Sequence, residues 1–397
     1  MARVLFIGEG STLAHAARPL ALAAALPRDT HGAIIAAPER YRRFAPPGVR
    51  WIDLDAQTPE AFAERLARGE PVFSRALLER YVEQDLALFE AVRPDVVVGD
   101  LRLSLAASAR LAKVPYISLS NAYWSPDRPL RARRPTIDLL RGWPAPFADL
   151  LFAAAGPLAL RRHASPVHRL MAGRGLGGLD RDLRRAFTEA DITLFADLPG
   201  LYGDLPANPR RRLMGPVAWD PPVDRPDWWG AVPDDRPVVY LALGSSGDSD
   251  AQERLSGWLL ELGYTVLASR AGRPGLQDDG RRLFTADYLP GSAAAARATF
   301  VVCNGGAPGA TQALLAGKPV LGIAGNLDQF LNMGAVEAHG AGLTLRADAL
   351  NRRNIEIAVA RIREPRFTAA AQGLQASAKG WDAAAILVQS IEALLRR

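Results

Sequence analysis

A histidine and an aspartate in the first hundred residues have types and positions suited to acid–base chemistry. His15 follows a short apolar run, residues 3–8, and stands at the start of a predicted helix from about 14 to 26. Imidazole titrates near neutral pH, so His15 is a candidate base for a hydroxyl proton. Asp100 ends a predicted strand, where its carboxylate could orient the imidazole and stabilise its cation. The alternatives are a solvated His15 without a role and an Asp100 that only caps the next helix.

A glycine-rich turn at 304–309 is the second candidate site. The apolar, β-rich run 299–303 predicts a buried strand before the turn, and the good helix formers 310–316 predict a helix after it. A strand that turns into a helix N-terminus collects unpaired N–H groups and the positive end of the helix dipole. This arrangement predicts an anion site, most simply for phosphate. On its own the turn indicates no more, because many α/β proteins carry one without binding a nucleotide.

Spaced glycine and polar residues continue from this turn as far as residue 342. They are Asn304-Gly-Gly, Gln312, Ala316-Gly317-Lys-Pro319, Asp328-Gln329, Asn332 and Gly340-Ala-Gly342. The series resembles the donor-sugar-nucleotide signature of the UDP-glycosyltransferase superfamily, whose members have the GT-B fold and invert the anomeric centre. Two positions depart from that signature. Asn304 stands where histidine is usual, and Gln312 stands where glutamate usually holds the nucleotide ribose.

The surroundings of His15 resemble the N-terminal motif of the same superfamily. Gly8 precedes the histidine, and Pro19-Leu-Ala-Leu22 follows it, with Ala14 in place of the usual glycine. The resemblance implies that His15 removes the acceptor proton and that Asp100 completes the dyad.

The resemblance also implies a complete donor site. The glycine turn and a second turn at 244–246 would hold the diphosphate, and Asp328-Gln329 would bind the sugar hydroxyls. Tyr288-Leu-Pro290 and Arg270 would hold the base, and Gln312 the ribose. The expected donor-binding residues are Ser245, Arg270, Tyr288, Leu289, Asn304, Gly305, Gly306, Gly309, Ala310, Gln312, Asp328 and Gln329.

Alternating strand and helix patterns occur on both sides of a proline-rich stretch. This rhythm predicts an α/β protein with two doubly wound, Rossmann-like domains facing each other across a cleft, which is the GT-B architecture that the resemblance implies. We expect an acceptor-binding domain at 1–215, a semi-rigid linker at 216–236 and a nucleotide-sugar-binding domain at 237–379. The final helix, 380–395, is expected to pack back on the first domain.

Composition excludes several classes of function. The net charge of +6 comes almost entirely from arginine, and the accompanying alanine content indicates a high-GC genome rather than a nucleic-acid partner. The single cysteine, Cys303, lies in a predicted buried strand and is expected to pack there. No apolar run reaches the roughly 18 residues of a membrane span, and the N-terminus does not have the pattern of a signal peptide, so a cytoplasmic location is expected. Asp53-Leu-Asp55 has a metal-binding spacing but is interpreted as a strand end. No metal or other cofactor is expected.

Residues 124–178 interrupt the strand–helix rhythm with prolines, glycines and arginines. This region and residues 60–90 are expected to shape a partly apolar acceptor site. The apolar segment 147–155 and the nearby basic group could contact an anionic membrane or hold an acidic acceptor. The alternative is a buried helix surrounded by a solvated arginine-rich surface. The basic group consists of Arg131, Arg133, Arg134, Arg161 and Arg162.

The sequence therefore predicts an inverting glycosyltransferase that moves a hexose from a nucleotide sugar to a hydroxyl of a small-molecule or lipid acceptor. UDP is the default nucleotide, and dTDP is the alternative. A nucleotide-sugar epimerase of the same fold is one rival interpretation. A catalytically silent nucleotide-sugar-binding or activator protein is another, which the changes at Asn304 and Gln312 motivate.

Overall fold

The structure is a computed structural model that describes residues 1–244 and 249–396. It contains two parallel β-sheets, each flanked by helices. The predicted α/β fold with two doubly wound domains across a cleft is confirmed.

The first sheet has seven strands in the order β3-β2-β1-β4-β5-β6-β7. Its strands are β1 (Ala2–Gly8), β2 (His31–Ala37), β3 (Arg50–Asp53), β4 (Val96–Asp100), β5 (Tyr116–Ser120), β6 (Ile192–Phe195) and β7 (Arg211–Leu213). The helices between them are α1 (Leu13–Ala25), α2 (Pro59–Ala67), α3 (Arg75–Val92), α4 (Leu105–Ala112), α5 (Ala145–Gly173) and α6 (Leu183–Ala186).

The second sheet has six strands in the order β10-β9-β8-β11-β12-β13. Its strands are β8 (Val238–Ala242), β9 (Thr265–Ser269), β10 (Leu283–Ala286), β11 (Phe300–Cys303), β12 (Val320–Ala324) and β13 (Gly342–Arg346). The helices around and after it are α7 (Ser249–Glu261), α8 (Gly291–Arg297), α9 (Ala307–Leu315), α10 (Leu327–Ala338), α11 (Arg352–Ile362), α12 (Pro365–Ser377) and α13 (Ala383–Leu395).

The two-residue period of β1 explains why helices cover both faces of the first sheet. Val4 and Phe6 point to the face that packs α1, whereas Leu5 and Ile7 point to the face that packs α3 and α4. All four side chains are fully buried. Helix α13 returns to the first sheet, where Leu387 and Ile391 join the same apolar cluster as Val4 and Phe6.

The region 124–178 is more regular than the sequence indicated. Helix α5 runs through 29 residues and contains Pro157 and Pro166, which we interpreted as breaks. A proline inside a helix leaves the carbonyl four residues earlier without its partner. Those carbonyls belong to Ala153 and Arg162, which are exposed residues, so water can satisfy them.

The interpretation of 147–155 as a buried helix is wrong, because Ala148 alone among these nine residues is buried. Phe147 is 66% exposed and Leu150 is 69% exposed. No helix in the described part of the chain is both long enough and apolar enough to cross a bilayer.

Candidate active site

The register of two neighbouring strands brings His15 and Asp100 together. Gly8, the last residue of β1, pairs with Asp100, the last residue of β4, so both helices that follow start from one edge of the sheet. A side chain at Gly8 would lie 3.0 Å from the backbone of His15 and Ala16, so the glycine lets α1 approach closely. His15 Nδ1 lies 2.8 Å from Asp100 Oδ1. Because a carboxylate only accepts, Nδ1 carries the proton and Nε2 is the basic nitrogen.

Arg18 is a third member of this group that sequence reasoning missed. Its Nη2 donates to Asp100 Oδ1 over 3.0 Å, and its Nε lies 2.6 Å from Asp100 Oδ2. Burial by itself lowers the pKa of Arg18, but the charge and hydrogen bond of Asp100, together with Tyr123 and Asp197, outweigh burial and raise that pKa. Arg18 stands three residues after His15 and therefore on the same side of α1, which is the signal that could have identified it.

A buried polar chain extends from Arg18 towards the next strands. Arg18 Nη1 donates to Asn121 Oδ1 at 2.9 Å, and Asn121 Nδ2 donates to Asp197 Oδ1 at 2.8 Å. Burial raises the pKa of Asp197 to about 6, although its hydrogen bonds and the charge of Arg18 act in the opposite direction. The chain fixes the orientation of Arg18 and hence that of the dyad carboxylate.

A cavity of about 430 Å³ lies between the two sheets, and most of the predicted site residues line it. His15 and Asp100 line it from the first domain. The predicted residues that line it from the second domain are Tyr288, Leu289, Asn304, Gly306, Gly309, Gln312, Asp328 and Gln329. The site is therefore shared between the domains.

The glycine turn offers fewer free N–H donors than its sequence suggested. The Gly306 N–H donates to the side chain of Asn304 at 3.1 Å, and the Ala310 N–H donates to the Gly306 carbonyl at 3.1 Å. Pro308 has no N–H. In the first turn of α9, the N–H groups that no described residue accepts are those of Ala307 and Gly309, and both residues line the cavity.

Asp328 is held by the opposite domain. The Tyr123 hydroxyl donates to its Oδ1 at 2.8 Å, and Trp124 Nε1 donates to the same oxygen at 3.0 Å. Burial and the charge of Asp328 raise the pKa of Tyr123 well above its ordinary value, so its hydroxyl remains a donor. Within the described residues no group donates to Asp328 Oδ2, which can accept from a ligand hydroxyl.

Gln329 has a structural role as well as a place in the cavity. Its Oε1 accepts from the N–H groups of Gly325 and Asn326, and its own N–H donates to Asn326, which forms a capping box at the start of α10. The capping box fixes the Gln329 side chain at the cavity wall.

Gln312 reaches a carboxylate that the sequence analysis did not identify. Its Nε2 donates to Asp220 Oδ1 at 2.7 Å, and Asp220 also accepts from the Ser292 N–H at 2.9 Å. Asp220 lies in the proline-rich stretch between the domains. The carboxylate that Gln312 lacks is thus supplied by a neighbour that is 92 residues away in the chain.

An aromatic wall closes the end of the cavity beside Gln312. Trp219 and Tyr288 line the cavity, and both pack edge-on against Phe44 with centroid distances of 5.6 and 5.1 Å. Arg43 stacks on Tyr288 and donates to its hydroxyl at 3.1 Å. Aromatic faces of this kind can stack on a nucleobase.

Three of the predicted site residues that the structure describes do not line the cavity. Arg270 pairs with Asp287 at 2.8 Å and does not line it. Gly305 and Ala310 lie behind the turn. The positive φ of Gly305 and the helix hydrogen bond of Ala310 shape the anion cradle, which is the glycine turn 304–309 together with the first turn of α9. Ser245 lies outside the residues that the structure describes.

The Asp-x-Asp spacing has a structural explanation. Asp53 accepts from the Glu39 N–H at 2.8 Å, and Asp55 pairs with Arg80 at 3.3 Å. Within residues 1–244 and 249–396, no group of three or more His, Cys, Asp or Glu side chains is arranged to hold a metal ion.

Comparison with known proteins places this chain in a family. Residues 266–394 match the family described as Erythromycin biosynthesis protein CIII-like, C-terminal domain. The chain is 40% identical over 398 residues to a PGL/p-HBAD biosynthesis glycosyltransferase of Mycobacterium tuberculosis (strain H37Ra), with 99% of this chain and 92% of the relative covered. It is 42% identical over 363 residues to a PGL/p-HBAD biosynthesis rhamnosyltransferase of Mycobacterium bovis (strain BCG), with 91% and 80% covered.

A solved structure shows the same architecture. The spinosyn rhamnosyltransferase SpnG complexed with thymidine diphosphate aligns with a TM-score of 0.67 at 20% identity, over 99% of this chain and 100% of that one. The chain belongs to the UDP-glycosyltransferase superfamily and is a glycosyltransferase with the GT-B fold.

Proposed function

We propose that this glycosyltransferase inverts the anomeric centre while it moves a hexose from a nucleoside diphosphate sugar to a hydroxyl of a partly apolar acceptor. The observation that carries the proposal is the shared cavity, in which a His–Asp dyad from one domain faces an anion cradle and Asp328 from the other.

The dyad would supply the base. His15 Nε2 takes the acceptor proton, the hydroxyl oxygen attacks the anomeric carbon, and the bond to the diphosphate breaks on the opposite face. Asp100 stabilises the imidazolium that forms. The N–H groups of Ala307 and Gly309 stabilise the charge that develops on the leaving diphosphate, where one such donor is worth about 3 kcal/mol.

The donor would lie along the second domain. Asp328 Oδ2 and the amide of Gln329 would bind sugar hydroxyls. The base would stack on the wall of Trp219 and Tyr288, and the ribose would contact Gln312 and Asp220. A relative named as a rhamnosyltransferase and a neighbour that holds thymidine diphosphate support a dTDP-deoxyhexose donor, with a UDP-hexose as the alternative.

The acceptor side of the cavity is largely apolar. It is lined by Phe62, Leu66, Val72, Ile137, Phe152, Leu160 and Phe187. Burial lowers the pKa of His163, which lies among these residues, so its imidazole is neutral at pH 7. The lining supports an acceptor with an aromatic or aliphatic body, such as a lipid or an aglycone. SpnG has been solved with spinosyn aglycone.

Transfer assays with dTDP- and UDP-sugars and a phenolic acceptor test the proposal. We expect a product whose anomeric configuration, read by NMR, is opposite to that of the donor, and we expect activity to persist in EDTA. His15→Ala should abolish transfer, and Asp100→Asn should reduce it strongly, while both variants still bind the free nucleotide. A product with the donor's configuration would contradict inversion.

The two rival interpretations give different results. Interconversion of the donor sugar without acceptor would indicate an epimerase. Nucleotide binding without any turnover that depends on His15 would indicate a binding or activator protein. Failure of UDP, dTDP and GDP alike to raise the melting temperature would contradict the donor site itself.

A further inference from the structure

Helix α5 has an apolar outer face that nothing in the described chain covers. Over residues 143–160 the sequence has a single charged side chain, Asp149. The large apolar side chains exposed on this face are Phe147 66%, Leu150 69%, Leu151 40% and Leu158 72%, and Trp143, 52% exposed, lies two residues before the helix. Isolated exposed apolar residues are ordinary, but a contiguous set on one helix indicates an interaction surface.

Arginines flank this outer face at both ends, and the two at its C-terminal end have no matching acid among the described residues. Arg161 and Arg162 follow it directly, are exposed, and form no ion pair with any described residue. Arg141 precedes it and is 72% exposed. The two nearby acids are already paired, Asp138 with Arg141 at 3.0 Å and Asp149 with Arg134 at 2.7 Å. The surface therefore presents exposed apolar side chains beside positive charge that no nearby acid neutralises.

We propose that residues 143–162, which include the outer face of α5, dock on an anionic phospholipid bilayer. A helix with Phe and Leu on one side, and with Trp and arginines near its ends, lies in the plane of the interface, with its apolar side chains in the acyl boundary and its cations on the lipid phosphates. Each arginine near an anionic surface adds to the attraction, and the apolar side chains add the hydrophobic contribution. The surplus positive charge favours this occupant over a second copy of the chain, which would carry the same unpaired arginines.

The inner side of the same helix faces the candidate active site. Phe152, Leu160 and His163 of α5 line the cavity that contains His15 and Asp100. One helix thus has one side towards the proposed bilayer and the other towards the apolar half of the cavity. Resting on the proposed function, this places the apolar half of the cavity one helix away from the membrane surface, where a lipid acceptor resides.

Co-sedimentation of the full-length protein with vesicles tests the docking without donor or acceptor. We expect binding to vesicles that contain phosphatidylglycerol, and at least about tenfold weaker binding to phosphatidylcholine alone or at high salt. Leu150→Ser/Leu158→Ser should weaken binding at least about tenfold, and Arg161→Glu/Arg162→Glu should do the same.

Matched variants on the other domain control for general effects. Ile357→Ser removes an apolar side chain that is 53% exposed on α11, and Arg353→Glu/Arg361→Glu makes the same change in net charge there. Neither should change binding. Because Leu150 and Leu158 do not line the cavity, their variants should keep the wild-type kcat on a water-soluble acceptor.

Three results would overturn the proposal. They are no binding to either kind of vesicle, binding that the α5 variants and the α11 controls reduce equally, and a dimer in light scattering that Leu150→Ser/Leu158→Ser converts to a monomer. Since none of these measurements uses the transfer reaction, the docking can fail while the transferase assignment stands, and the reverse is also true.

Discussion

The hydroxyl of Tyr123, on the first domain, donates to Asp328 Oδ1, on the second, at 2.8 Å. The two residues are 205 positions apart in the chain. With Trp124 on the same oxygen, Tyr123 fixes the rotation of the carboxylate and directs Oδ2 into the cavity. The proposed sugar site is thereby coupled to closure of the two domains.

Removing this hydroxyl should weaken donor positioning. A hydrogen bond to a charged group is worth about 1.5–3 kcal/mol, so Tyr123→Phe should lower kcat/KM for the donor by roughly tenfold to a hundredfold. Steady-state kinetics with varied donor measures the effect. Tyr202→Phe is the matched control, because its hydroxyl also crosses the domains, to Asn332 Oδ1 at 3.0 Å, but does not touch Asp328. Equal losses in the two variants would show that only domain contact matters.

Arg18 should set the pH range of the dyad. Its charge partly neutralises Asp100, so Asp100 stabilises the His15 cation less than an unpaired carboxylate would. In Arg18→Gln the acidic limb of the pH–rate profile should move to higher pH, and Arg18→Lys should restore its position. The cost in stability should be about 3 kcal/mol or more, since a buried charge loses its partner. A profile that keeps its shape in Arg18→Gln would limit Arg18 to a structural role.

The contact between Gln312 and Asp220 predicts an unusual pair of effects. Gln312→Glu restores the residue usual in the superfamily, yet it places a second carboxylate beside Asp220, so nucleotide affinity should fall by about tenfold or more. Adding Asp220→Asn should recover most of that loss. Isothermal titration with dTDP and UDP measures both.

Asp224→Asn, in the same linker but exposed, is the control for this pair. Tighter nucleotide binding by Gln312→Glu alone would contradict the proposed role of Asp220.

Asp197 should make folding depend on pH. Its pKa is about 6 in the folded protein, against about 3.9 in an unfolded chain. Between these values the folded state binds more protons than the unfolded state, so raising the pH lowers the free energy of unfolding. The contribution of Asp197 to the free energy of unfolding is at its most favourable below about pH 4 and is lost as the pH rises to about 6. Over this range it changes by up to about 3 kcal/mol.

Urea denaturation across this range, compared with the non-titrating Asp197→Asn, isolates that contribution. The difference in free energy of unfolding, wild type minus variant, should fall as pH rises from about 4 to about 6. A difference that is flat or increases would show that Asp197 ionises normally.

The amino-acid sequence by itself determined the α/β class, both βα series and the presence of a donor signature. These features depend on short periods and on turn residues near one another in the chain. Placing His15 and Asp100 at one sheet edge needed only the rule that parallel strands end together, and their contact spans 85 positions. The anion cradle was likewise visible as strand, glycine turn and helix.

The tertiary structure alone decided which groups are engaged and which remain available. It paired Arg18 with Asp100, Asp220 with Gln312 and Tyr123 with Asp328. Among the described residues of the glycine turn and the first turn of α9, it left the N–H groups of Ala307 and Gly309 without a protein acceptor. It also turned the apolar half of α5 outward. The physical reason is that hydrogen-bond partners and burial depend on surfaces from distant parts of the chain. A local pattern shows that a helix is apolar, but only the packed fold shows whether anything covers it.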